Sequence, residues 1–84
     1  MGALSSLPNV GKVLENNLNA IGVHTAEQLV NMGSKEAFLR IRLEVDDGAC
    51  LHMLYGIQGA IENIRDIGLS EHTKQDLREF YNSL

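Results

Sequence analysis

The sequence has no tryptophan, one cysteine and one proline, and its only aromatics are two phenylalanines and two tyrosines. Each scarcity excludes something. Cys50 alone can form neither an internal disulfide nor a cysteine cluster for zinc, so a reducing, cytoplasmic setting is expected. With so few rings, the core must be built mainly from Leu, Ile, Val and Ala. Pro8 stands near the start and leaves the rest of the chain free to be helical. No apolar run approaches the roughly 18 residues of a membrane span. No basic stretch followed by an apolar one marks a secretory signal. Met1-Gly2-Ala3-Leu4-Ser5-Ser6 fits a loose myristoylation pattern, but no polybasic second signal follows, so no membrane partner is expected.

Positive charge is also scarce. Seven Lys and Arg stand against eleven Asp and Glu, for a net charge of −4. Only residues 34–45 have a basic excess, with Lys35, Arg40 and Arg42 against Glu36 and Glu44. Tight binding to a duplex backbone needs several phosphate-neutralising cations. No block of them exists here, which disfavours strong nucleic-acid binding by the isolated monomer.

What is present is helical grammar. The 84 residues suffice for one domain, 1–84, whose stability should be modest. Residues 1–8 read as a lead-in with at most one helical turn. Asn9 is placed to cap a first helix, in which Val10, Leu14, Leu18 and Ile21 share a face. Gly22 ends it as a left-handed cap. Thr25-Ala26-Glu27-Gln28 fits a capping box for a second helix that Gly33 stops. Ser34 is expected to cap a third, running to about Glu44. Lys35 and Arg42 roughly share one face of it, while Leu39 and Leu43 form a second apolar stripe. Asp46-Asp47-Gly48 reads as a turn that also caps a long fourth helix, from about Ala49 to Asp66. Cys50, Leu54, Ile57, Ile61 and Ile64 trace its core face. Gly56 and Gly59 in mid-helix imply close approach of another helix backbone. Ser70 caps a final helix with Leu77, Phe80, Tyr81 and Leu84 on its apolar side. No strand-type alternation is visible. The expected fold is all-α, about five helices, with a helix-hairpin-helix-like N-terminal half.

Little here resembles catalysis. His24, His52 and His72 do not pair at helical ligand spacing, and Cys50 and His52 diverge on a helix. Asp46-Asp47 lacks the alternating ligands of a calcium loop. No enzyme activity, cofactor, metal or small-molecule substrate is expected. The turn at Leu7-Pro8-Asn9-Val10-Gly11-Lys12 leaves two readings open. The N–H groups of Val10, Gly11 and Lys12 could hold a phosphate at a helix N-terminus, with the Lys12 side chain beside it. Alternatively, the Asn9 side chain satisfies those groups itself.

These residues also carry a resemblance. The chain resembles the C-terminal domain of TfoX/Sxy-type proteins, the bacterial competence regulators. The likeness rests on Leu7, Asn9-Val10-Gly11, the run from Gly22 to Leu29, then Gly33, Ala37 and Phe38, and the segment Leu54–Ala60. Lys12 stands where the family often has Pro. Ile61–Asp66 replaces a stretch that tends to hold Gly and Trp. The resemblance implies a helix-hairpin-helix fold and no enzyme activity, here as a stand-alone form of the module. Two functions are then expected in order. The first is regulatory contact with a protein partner or a second copy, with Leu39 and Leu43 as interface residues. The second is nucleic-acid backbone contact through Val10, Gly11 and Lys12, extended by Lys35, Arg40 or Arg42.

Overall fold

The computed structural model describes residues 3–84. Met1 and Gly2, which open the myristoylation-like pattern, lie outside them. Five α-helices occur among the described residues: α1 Lys12–Ala20, α2 Ala26–Met32, α3 Ser34–Glu44, α4 Leu51–Glu62 and α5 Glu71–Asn82. Short 3-10 turns at Ala3–Ser6 and Asp66–Gly68 precede α1 and α5. No described residue is in a strand. The all-α, five-helix expectation therefore holds.

α4 is the central helix. It packs most extensively on α3 and also touches α2, α5 and the Asp66–Gly68 turn. Its apolar character explains this, because Leu54, Ile57 and Ala60 are buried and Ile61 partly so, with Ile64 packed on the same core just beyond the helix. Around them Leu14, Leu18, Val23, Leu29, Phe38, Ile41 and Leu77 complete one core. The Phe38 and Tyr81 rings meet at 5.9 Å across α3 and α5, within the range of favourable tilted ring pairs.

The capping signals at Thr25 and Ser70 and the stop at Gly22 form as expected. Thr25 Oγ1 accepts from the Gln28 N–H at 3.1 Å. Gln28 reaches back to the His24 N–H at 2.7 Å, one residue before the cap itself. Ser70 Oγ accepts from the Thr73 N–H at 3.0 Å. Gly22, at φ 91°, follows α1 in a left-handed conformation. The N–H of Val23 there returns to Leu18 O at 2.9 Å, which closes the helix end.

Several expectations are corrected. α4 ends at Glu62 rather than Asp66, because Asn63 adopts the left-handed φ 62°, ψ 40° and caps it. Cys50 is exposed and sits at the N-cap of α4, not on its core face. Asp46 Oδ1 accepts from the Gly48 N–H and shapes the turn, but does not cap α4. Ser34 does not cap α3. It is the first helical residue, and its Oγ donates to Gln58 Oε1 at 2.6 Å, tying α3 to α4.

The α2–α3 junction instead depends on Gly33, whose φ 87° and ψ 157° lie in a region essentially reserved for glycine. A Cβ there would meet no other atom within 4 Å. Gly33→Ala is thus expected to cost about 1–3 kcal/mol through backbone strain alone. Urea unfolding followed by circular dichroism would measure it as a lower midpoint with an unchanged slope.

Candidate functional site

Leu7 to Val10 form a tight turn in which the Val10 N–H donates to Leu7 O at 3.3 Å. Pro8 in second place and Asn9 at φ 68° in third give it the signature of a type II turn. The third residue must take a positive φ, which Gly or Asn can do. Asn9 does not cap α1, correcting that reading. The N-cap is Gly11, with no side-chain hydrogen bond to the first turn. The Asn9 side chain turns the other way. Its Nδ2 donates to Gly56 O at 3.3 Å and to Ile64 O at 3.0 Å, and its Oδ1 accepts from the Asp66 N–H at 3.1 Å.

This contact explains the two glycines of α4. A Cβ on Gly59 would lie 2.5 Å from Asn9 Nδ2 and 2.8 Å from Ile64 O. A Cβ on Gly56 would lie 3.5 Å from the Asn9 Cβ. Close approach was expected from another helix backbone. What approaches is one side-chain amide together with the chain returning after α4.

Beside the clasp an open cleft of about 510 Å³ is lined by the first residues of α1 and by the N-terminal half of α4. Gly11, Lys12, Val13 and Leu14 line one wall, and Cys50, His52, Met53 and Gly56 the other. Asn9, Arg65 and Asp66 complete it. Neither helix has a side-chain cap at this end. Val13 is 71% exposed, so the cleft presents apolar surface to solvent. His52 Nε2 lies 3.5 Å from Asp66 Oδ2.

The cations divide into two groups. Lys35 pairs with Asp76 at 2.8 Å and sits 5.6 Å from the Phe80 ring centre. Arg42 lies over the Tyr81 ring at 5.5 Å. The shared face of Lys35 and Arg42 is real, but it faces α5. Arg40 donates to Glu36 Oε2 at 2.6 Å, and that bond with the Glu36 charge holds its guanidinium above the ordinary value. Lys74 pairs with Glu71, and Arg78 donates to the Tyr55 hydroxyl at 3.1 Å. Among the described residues, the side chains of Lys12 and Arg65 alone of the seven have no ion-pair, hydrogen-bond or ring partner. Both line the cleft.

Of the residues singled out in the sequence, Gly11 and Lys12 lie exposed in the cleft, while Val10 is buried beneath the turn. Lys35, Arg40 and Arg42 do not line it. Leu39 is half-buried, and Leu43, one turn further along α3, is 75% exposed. Arg65 was missed. Its one visible signal was being the sole cation of the acidic segment 46–69. No group of three or more His, Cys, Asp or Glu among the described residues could hold a metal ion. No described helix is long and apolar enough to cross a membrane.

Comparison with curated proteins finds no match. Two crystal structures of Listeria monocytogenes proteins are similar. One, an uncharacterized protein in a triclinic form, is 49% identical with a TM-score of 0.92, covering 95% of this chain and 90% of that one. The other, a protein of unknown function in a tetragonal form, is 49% identical with a TM-score of 0.90, covering 95% of this chain and 98% of that one. The family model described as the TfoX C-terminal domain matches residues 1–81. The chain therefore belongs to the TfoX C-terminal domain family.

Proposed function

We propose that this domain is a non-enzymatic regulatory module that acts by contacting a protein partner or a second copy of itself. The observation that carries this reading is the C-terminal end of α3. Leu43 is 75% exposed there, with exposed Val45 just beyond the helix. The same helix buries Ala37, Phe38 and Ile41 completely. It therefore presents these apolar side chains from a rigid support, as an interface requires.

The nucleic-acid alternative has less support. Lys35 and Arg40 are already ion-paired, and Arg42 lies on a ring. The Val10 N–H is used inside the turn. Gly11 and Lys12 remain at the uncapped start of α1, too few for a backbone track.

Sedimentation velocity over a range of concentrations, with affinity capture from cell extract, tests the proposal. The wild type should self-associate or retain a partner, and Leu43→Glu should lose that association by at least about tenfold while keeping its helicity. A strict monomer with identical capture by both proteins would count against it. Duplex DNA bound at about 50 mM salt, where phosphate contacts are strong, would favour the alternative.

A further inference from the structure

The cleft between α1 and α4 has a chemistry that the α3 surface lacks. The chain is acidic overall, yet its two unpartnered cations, Lys12 and Arg65, both stand at this cleft. The same cleft also presents apolar surface from exposed Val13 and half-buried Met53. An occupant that complements this must carry negative charge beside an apolar side chain. We infer that the cleft binds an acidic peptide segment of a partner protein, with carboxylates against Lys12 and Arg65 and an apolar side chain against Val13 and Met53.

This rests on reading the domain as a protein-interaction module, and it names a second surface and the kind of segment it takes. Charge complementarity selects the occupant. Two cations suffice to fix the carboxylates of a short peptide, whereas a nucleic-acid backbone needs a longer track. A sugar-phosphate backbone would also leave the apolar wall without a partner. A peptide uses both halves of the cleft, combining an apolar anchor with rim charges that set orientation and partner choice.

The test begins with a random linear peptide library panned on the full chain. Selected sequences, made with a fluorescein label, are then measured by anisotropy against the wild type, Lys12→Glu, Arg65→Glu and Leu43→Glu. Lys12 and Arg65 are exposed and unpartnered, so their variants should melt as the wild type does. The expected result is enrichment of Asp or Glu beside Leu, Ile or Phe. Binding should fall about tenfold or more in each cleft variant and stay unchanged in Leu43→Glu. It should weaken as salt rises past the level where the screening length is about 8 Å. Failure to select any peptide, or selection without acidic bias, would overturn the inference. Peptides that lose binding only in Leu43→Glu would also overturn it, while leaving the α3 proposal standing. Tighter binding of duplex DNA than of any peptide, lost in the same cleft variants, would assign the cleft to nucleic acid instead.

Discussion

Gly59→Ala should lower the thermal midpoint by roughly 15 °C, corresponding to about 3 kcal/mol in a domain of this size. The added Cβ has nowhere to go. It would meet Asn9 Nδ2 at 2.5 Å and the backbone oxygen of Ile64 at 2.8 Å. The amide is held by two donated hydrogen bonds, so moving it breaks them. The oxygen belongs to the main chain and moves only if the whole return after α4 moves. Alanine's better helix propensity returns at most about 1 kcal/mol, which the overpacking and the lost hydrogen bonds exceed. For a domain with a total stability of about 4–12 kcal/mol, the loss is a large fraction. Differential scanning calorimetry would measure it. A midpoint within a few degrees of the wild type would show that the contact yields easily. Adding Asn9→Gly should recover part of the loss, because the amide clash disappears while the Ile64 clash stays.

Asn9→Ala should be comparably severe, at about 3 kcal/mol. Two effects add. Alanine at φ 68° is strained by about 1–2 kcal/mol. The Asp66 N–H, Ile64 O and Gly56 O each lose a side-chain partner, and an unsatisfied, partly buried polar group costs about 1–3 kcal/mol. Asn9→Gly separates the two, since glycine adopts the turn freely and loses only the hydrogen bonds. Urea denaturation should therefore rank wild type above Asn9→Gly, and Asn9→Gly above Asn9→Ala. Equal stability of the two variants would mean that the positive φ contributes nothing. Asn9→Asp should not rescue, because a carboxylate could still accept from Asp66 but would face two carbonyl oxygens.

The legible parts of the fold were those whose cause is local. Thr25 and Ser70 bond three residues along the chain, at the spacing from which they were read as caps. The common face of Lys35 and Arg42 follows from helical periodicity, although what that face meets does not. Asn9 was misread because its partners lie 47, 55 and 57 residues away. Nothing near it in sequence distinguishes a side chain that caps forward from one that reaches across the molecule. The trace lay elsewhere, in Gly56 and Gly59, which announced a close contact without naming the atom that makes it. Periodicity also carried α4 too far in both directions. Cys50 continues the apolar stripe backwards and Ile64 continues it forwards, but Cys50 is the N-cap and Asn63 ends the helix. The cleft was half visible. Lys12 was named from the turn, while Arg65 needed the chain to return after α4 before it could stand beside it.

The Asn9 clasp has a consequence for the order in which the molecule assembles. It joins residue 9 to residues 56–66, so most of the chain lies inside the loop it closes. Closing a loop of that length costs entropy that a local turn does not. The turn that looks most like a self-contained local motif is therefore completed only once the chain has come back past α4. Until then the cleft has only one wall. The binding surface is thus a property of the finished domain, and a nascent chain emerging N-terminus first would display the hairpin sequence without the site.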